Sequence, residues 1–231
     1  MHSVLRRVCH HVRVPRIGRL GLALLGVVLL GTASLTGPAQ AQAPRPYLMT
    51  TQEAVRLKQA AEYLNSVQTM RARFAQSSST GNYAEGTVYM RRPGRMRIEY
   101  DPPAQVLVVA NGSYVVYEDG ELQQVSYIGL NDTPLGLLLR ENVEFTDPEI
   151  TLTGMRTSAD MMEIDLVQTK DPGQGTLTLI FATNPFELRQ WRVRDAQGVE
   201  VSVTLLTPQF GVDLDSNLFK YTEKPGFRRE N

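Results

Sequence analysis

Beyond residue 65, nearly every apolar stretch of this chain alternates with a period of two, and turn-forming residues punctuate the series. Met70, Ala72 and Phe74 alternate with Arg71, Arg73 and Ala75, and Met96, Ile98 and Tyr100 oppose Arg95, Arg97 and Glu99. The pattern returns in Met162, Ile164 and Leu166, in Leu177, Leu179 and Phe181, and in Val199, Val201, Val203 and Leu205. Successive strand side chains point to opposite faces, so this period encodes half-buried β-strands. Asn111-Gly112, Asp119-Gly120, Asp171-Pro172-Gly173, Asn184-Pro185 and Asp195-Ala196-Gln197-Gly198 supply the turns. The pattern predicts ten or eleven strands in an antiparallel meander with one interruption.

That interruption starts at Asp132. Asp132 or Thr133 can cap a helix, Pro134 suits its first turn, and Leu135, Leu137, Leu138 and Leu139 follow, which predicts a short, very apolar helix of about eight residues. Ahead of the strands, Thr50 and Glu53 form a capping-box pattern. Ala54, Leu57, Ala61 and Leu64 recur at three- and four-residue spacing, predicting an amphipathic helix that ends near Asn65.

The N-terminal segment has a different chemistry. Residues 1–19 carry Arg6, Arg7, Arg13, Arg16 and Arg19 with no acid, residues 20–35 are uncharged and apolar, and Ala39-Gln40-Ala41 is a small-x-small end. This is the pattern of a secretory signal peptide over residues 1–41. Cleavage after Ala41 suits it better than after Ala43, which Pro44 follows. The apolar run falls short of the roughly twenty residues that span a bilayer. The sole cysteine, Cys9, precedes that run, so no lipid-anchored cysteine is expected. Residues 42–49, with Pro44 and Pro46, read as a flexible lead-in, and residues 50–231 as one domain.

Setting the signal aside changes the charge. The whole chain balances 24 basic against 24 acidic residues, and without the five N-terminal arginines it has 19 against 24, a net charge of −5. That balance disfavours nucleic acid as a partner. His2, His10, His11 and Cys9 all lie in the first 41 residues. The remainder therefore lacks the side chains for disulfides, thiol nucleophiles, the usual zinc sites and histidine-based triads. No metal or cofactor is expected, and no enzymatic activity. Glu99 and Asp101 share a strand face, but in a surface-facing series, where solvated charge fits better than acid–base catalysis.

A large antiparallel sheet has one apolar face that something must cover. Two short helices are too small to cover ten strands. The sheet must fold on itself as a packed sandwich or barrel, or curl around a cavity closed by the helices; pattern alone leaves both open. The candidate lining is Phe74, Val88, Met90, Met96, Ile98, Tyr100, Leu135 and Leu138, long or aromatic groups among which methionine adapts to irregular contents. Taken singly, each could equally be core. If Val88 and Met90 face inward, alternation turns Arg92 inward too, where its guanidinium needs acceptors such as helix carbonyls or a carboxylate. The alternative is a solvated strand-end arginine beside Pro93-Gly94.

The stretch from Gly86 through Arg91-Arg92-Pro93-Gly94-Arg95 to Asp101-Pro102-Pro103 resembles the signature of the LolA-type outer-membrane lipoprotein carrier proteins. Asn111-Gly112, Leu122 and Gln124, Thr133-Pro134 before the leucines, and Asp195 to Gly198 follow in the family's order. The resemblance implies an incomplete, curled antiparallel β-barrel of about eleven strands, with an apolar cavity under a helical lid. It implies a monomeric periplasmic chaperone that takes acylated lipoproteins from an inner-membrane ABC transporter, shields their acyl chains and delivers them to an outer-membrane acceptor. It assigns Arg92 to bonding the lid helices, coupling closure to release. A lipoprotein- or stress-sensing module on the same fold is the alternative. Tyr89 stands where the family often has tryptophan, and with five residues after Pro225-Gly226 the longer C-terminal extension of some members is not expected.

Overall fold

The fold of residues 44–230 is described by a computed structural model. The segment 1–41 and both candidate cleavage positions lie outside those residues, as does the side chain of Leu135. The first helix, α1, spans Thr51–Ser66 and begins on the expected capping box. The Thr50 N–H donates to Glu53 Oε2 at 2.8 Å, and the Glu53 N–H donates to Thr50 Oγ1 at 3.3 Å. Such a cap contributes about 1 kcal/mol. Leu57, Ala60 and Leu64, one stripe of the helix, are buried. Residues 44–49 of the lead-in have no regular structure, but the Tyr47 N–H donates to Leu152 O at 2.9 Å and its hydroxyl donates to Glu53 Oε1 at 2.8 Å.

Six strands follow: β1 (Thr69–Ser78), β2 (Tyr83–Arg91), β3 (Arg95–Tyr100), β4 (Val106–Asn111), β5 (Tyr114–Asp119) and β6 (Gln124–Gly129). After α2 (Pro134–Leu138) come β7 (Ile150–Thr157), β8 (Met161–Gln168), β9 (Gly175–Thr183), β10 (Phe186–Asp195), β11 (Glu200–Phe210) and the short β12 (Arg228–Glu230). All twelve form one sheet in the order β12-β6-β5-β4-β3-β2-β1-β11-β10-β9-β8-β7. The topology is not the single meander that alternation suggested. It is two meanders, β1–β6 and β7–β11, joined at the centre by the antiparallel pair β1 and β11. Between them the chain crosses through α2 to the far edge. The edges, β12 and β7, are not neighbours, so the sheet curls without closing. β12, a strand beyond the expected number, pairs parallel to β6.

The leucine-rich helix is shorter than expected, with five residues. Gly136 lies so close to the preceding turn that a Cβ there would come within 2.3 Å of Leu130 O. After Leu138 the chain leaves the helix, and Arg140 binds Asp147 and Glu149 instead, each at 2.6 Å.

The concave face of the sheet, α1 and α2 enclose the main core. Alternation holds there: Val88, Met162, Ile164, Leu179 and Phe181 are fully buried. β4 and β5 are buried on both faces. Their outward Val109 and Val116, with Val125 of β6, lie on the face opposite the main core. A 3-10 turn at Ser216–Phe219 packs on the strands β3 and β4 there. Arg91 donates to Leu214 O and Arg97 to Leu218 O, at 3.1 and 3.2 Å.

Candidate functional site

The helices and the ends of the central strands meet over a nearly filled apolar interior. Its remaining void is about 20 Å³. Leu64 and Val67 approach from the α1 side, Met70, Met90 and Met96 from the first meander, Leu138 from α2, and Leu188, Trp191 and Leu205 from the second. Tyr63 of α1 packs edge-on against Phe181, Phe186 and Phe210 with ring centroids 6.0 to 6.4 Å apart. Phe210 remains 41% exposed at the rim.

Of the residues singled out from the sequence, Met90, Met96 and Leu138 border this void, while Arg92 borders it as the one charged group. Phe74, Val88, Ile98 and Tyr100 lie on the same concave face but line no part of the void. Phe74 and Tyr100 pack edge-on at 5.2 Å, and the Tyr100 hydroxyl donates to Gln76 Oε1 at 2.7 Å. Burial pushes that phenol up to about 12. Leu135 lies on α2, its side chain outside the described residues.

The inward turn of Arg92 has a simple cause. β2 keeps its alternation through Val88 and Met90, so the next even position faces the same way. Its N–H donates to Gln68 O at 2.9 Å, which fixes the backbone at the strand's end. The residue is 6% exposed, and Nε and Nη1 are buried without a hydrogen-bond partner among the described residues. Burial lowers the guanidinium to about 10, so it stays charged near neutral pH. The bonds to lid carbonyls that the resemblance implies are not made by these two nitrogens.

Other groups hold the lid. The Gly94 N–H donates to Leu139 O at 2.8 Å, tying the β2–β3 turn to the end of α2. Gly94 itself sits at φ +74°, and a Cβ there would approach Gly112 Cα to 2.9 Å. Asn65, in the last turn of α1, makes a two-way contact with Val143: its Nδ2 donates to the carbonyl at 3.2 Å and its Oδ1 accepts from the amide at 2.8 Å. Sequence reading missed Asn65, which carries no pattern of its own. It also missed Leu188 and Trp191, because the irregularity between Leu188 and Gln190 breaks the period of two and turns residues three apart to one side.

Glu99 and Asp101 face outward and are occupied by arginines: Arg97 Nε donates to Glu99 at 2.6 Å, and Arg73 binds Asp101. The Arg73 hydrogen bond holds the Asp101 carboxyl below its usual range.

Several comparisons bear on this arrangement. An outer-membrane lipoprotein carrier protein of Methylococcus capsulatus is 27% identical over 173 residues, covering 71% of this chain and 82% of the relative. The carrier of the same description from Pseudomonas aeruginosa strain PAO1 is 27% identical over 173 residues, 71% of this chain and 81% of its own. That of Nitrosomonas europaea is 30% identical over 143 residues, 57% and 63%. Among solved structures, a LolA superfamily protein from Nitrosomonas europaea overlays with a TM-score of 0.43 at 9% identity, covering 71% of this chain and 97% of that one. The family model for the outer membrane lipoprotein carrier protein LolA matches residues 65–222, from the last turn of α1 to beyond the 3-10 turn, and the chain belongs to that family.

Proposed function

We propose that this protein is a periplasmic carrier that shields the acyl chains of lipoproteins beneath its helical lid and moves them from an inner-membrane releasing transporter to an outer-membrane acceptor. The observation that carries the reading is a charged Arg92, two of whose guanidinium nitrogens have no hydrogen-bond partner among the described residues, at the border of an otherwise apolar interior under the helices. Family membership supplies the cargo class.

The need for a carrier is energetic. At about 0.8 kcal/mol per CH₂, exposing one sixteen-carbon chain to water costs roughly 12 kcal/mol. Unassisted passage through an aqueous compartment is therefore negligible. The carrier must also let go, so its interior has to be a poorer home for acyl chains than the receiving membrane. A guanidinium held among methionines and leucines does this: a bound acyl chain next to it cannot supply the acceptors it lacks. The void of about 20 Å³ holds no acyl chain, so loading requires the lid to move. The Gly94–Leu139 and Asn65–Val143 bonds are then broken, and they re-form as cargo leaves.

In this reading Arg92→Leu loads a lipoprotein and releases it poorly, because the interior has lost its one unfavourable group. The test incubates loaded wild-type and variant protein with outer-membrane vesicles and follows transfer. Equal transfer by the two would remove Arg92 from the release step. Mass spectrometry of protein purified from the native periplasm tests the carrier role itself: acylated cargo should co-purify.

A further inference from the structure

The sheet's open side holds a second cavity, of different character from the interior void. It is a cleft of about 270 Å³ where the chain leaves β6, passes through α2 and returns along β7 to β9. Its floor is the main core itself, through Leu137, Leu166 and Leu177. Its rim is polar and exposed, with Asn131, Asp132, Lys170 and Gln174. Gln168 also lines it and ties the two sides together, donating from Nε2 to Asn131 O at 3.1 Å. Arg140 on the wall is already committed to Asp147 and Glu149.

The helix α2 is the partition between the two cavities. Leu137 lines the cleft, and its neighbour Leu138 lines the interior void. Moving this five-residue helix would therefore join a preformed polar cleft to the apolar interior. A lipoprotein's anchor has matching parts: apolar chains, then a glyceryl thioether with ester and amide carbonyls, then the first peptide units. Those carbonyls and amides keep their hydrogen bonds only at a polar wall. The interior void offers them Arg92 and little else, whereas the cleft offers amides, a carboxylate and an ammonium.

We propose that the cleft seats the polar head and first residues of the lipoprotein anchor, with the acyl chains passing beneath α2 into the interior. This rests on the carrier reading above. The seat is preformed while the acyl chamber is closed, so the head docks where no rearrangement is needed and the chains follow as α2 shifts.

The experiment uses a synthetic, fluorescent dipalmitoyl-glyceryl-cysteinyl peptide, with palmitate as the headless comparison. Beyond residue 9 the chain has no cysteine, so Gln174→Cys or Phe210→Cys in a Cys9→Ser background places a photo-reactive maleimide at either the cleft or the opposite rim. The peptide portion should cross-link at 174 and not at 210. Gln174→Trp, which fills the exposed mouth without touching the core, should weaken lipopeptide binding about tenfold and leave palmitate binding unchanged. Lipopeptide that binds but gives no adduct at 174, or equal effects of Gln174→Trp on both ligands, would overturn the seat while leaving the carrier intact. Failure of the wild-type protein to take up either ligand would overturn the carrier reading and the seat with it.

Discussion

Arg92 and Glu118 are both less than a tenth exposed, one on the concave face of the sheet and the other on its outer face, yet only Glu118 has a counter-charge. Lys224 of the tail reaches it at 2.6 Å, while Arg92 has no carboxylate partner among the described residues. The outer face carries a paired charge under a tail whose last strand joins the sheet. The inner face carries one with no carboxylate partner among the described residues, beneath the helices. Removing one partner of a buried pair destabilises a fold, whereas replacing an uncompensated buried charge by an apolar group is often stabilising. The two sites should therefore respond to neutralisation with opposite sign.

The largest expected effect is at Arg92. Arg92→Met should raise the unfolding free energy by about 3 kcal/mol in urea titrations, because an apolar side chain replaces an unsatisfied cation. A loss of stability would mean that the guanidinium is satisfied in solution. Next comes Lys224→Ala, expected to lower stability by about 2 kcal/mol by leaving the Glu118 carboxylate buried and alone. An unchanged denaturation midpoint there would erase the contrast between the faces. Asn65→Ala should cost about 1 kcal/mol, and its more telling readout is faster hydrogen exchange at the Val143 amide with no change at Val116. Uniform acceleration would mark Asn65 as a general stabiliser and not a latch.

The smallest effect is a pH dependence at the helix start. The backbone bond from Thr50, then the Tyr47 and Thr50 hydroxyls, hold the Glu53 carboxyl below its ordinary 4.5. A carboxylate lowered on folding adds stability that is present above the unfolded pKa and lost as pH falls through the lower folded one. The amide signals of Thr50 and Ala54 should therefore shift only as pH falls below the ordinary 4.5 of a glutamate, and Glu53→Gln should abolish that step. A step that survives the substitution would belong to another carboxylate.

Much of this molecule could be read from its sequence where one face of a strand meets water and the other does not. Met70, Ala72, Phe74, Met96 and Ile98 are buried as the alternation requires, and parity along β2 allowed an inward Arg92 beside a solvated strand-end alternative, of which the structure has the buried one. The reading failed where both faces are covered. Val106 to Ala110 is an unbroken apolar run because the core lies on one side and the tail on the other. It also failed at bulges, and at the choice of edge that β7 takes after α2, since alternation carries no information about which strands become neighbours. The candidate site was legible through the Arg92 motif and the leucines of α2. Asn65, Trp191 and the polar cleft depend on long-range placement and left no local signal.

The pairing of β1 with β11 sets a schedule for assembly. Met70 lies opposite Phe210, so the central seam of the sheet joins segments separated by most of the chain. The first meander can form as soon as residues 69–129 are available, but its β1 edge stays open until the last long strand arrives. The interior chamber has no second wall before then. During that interval the half-built protein exposes an unpaired edge and also apolar surface, the latter being the hazard that a lipid carrier exists to hide in its cargo.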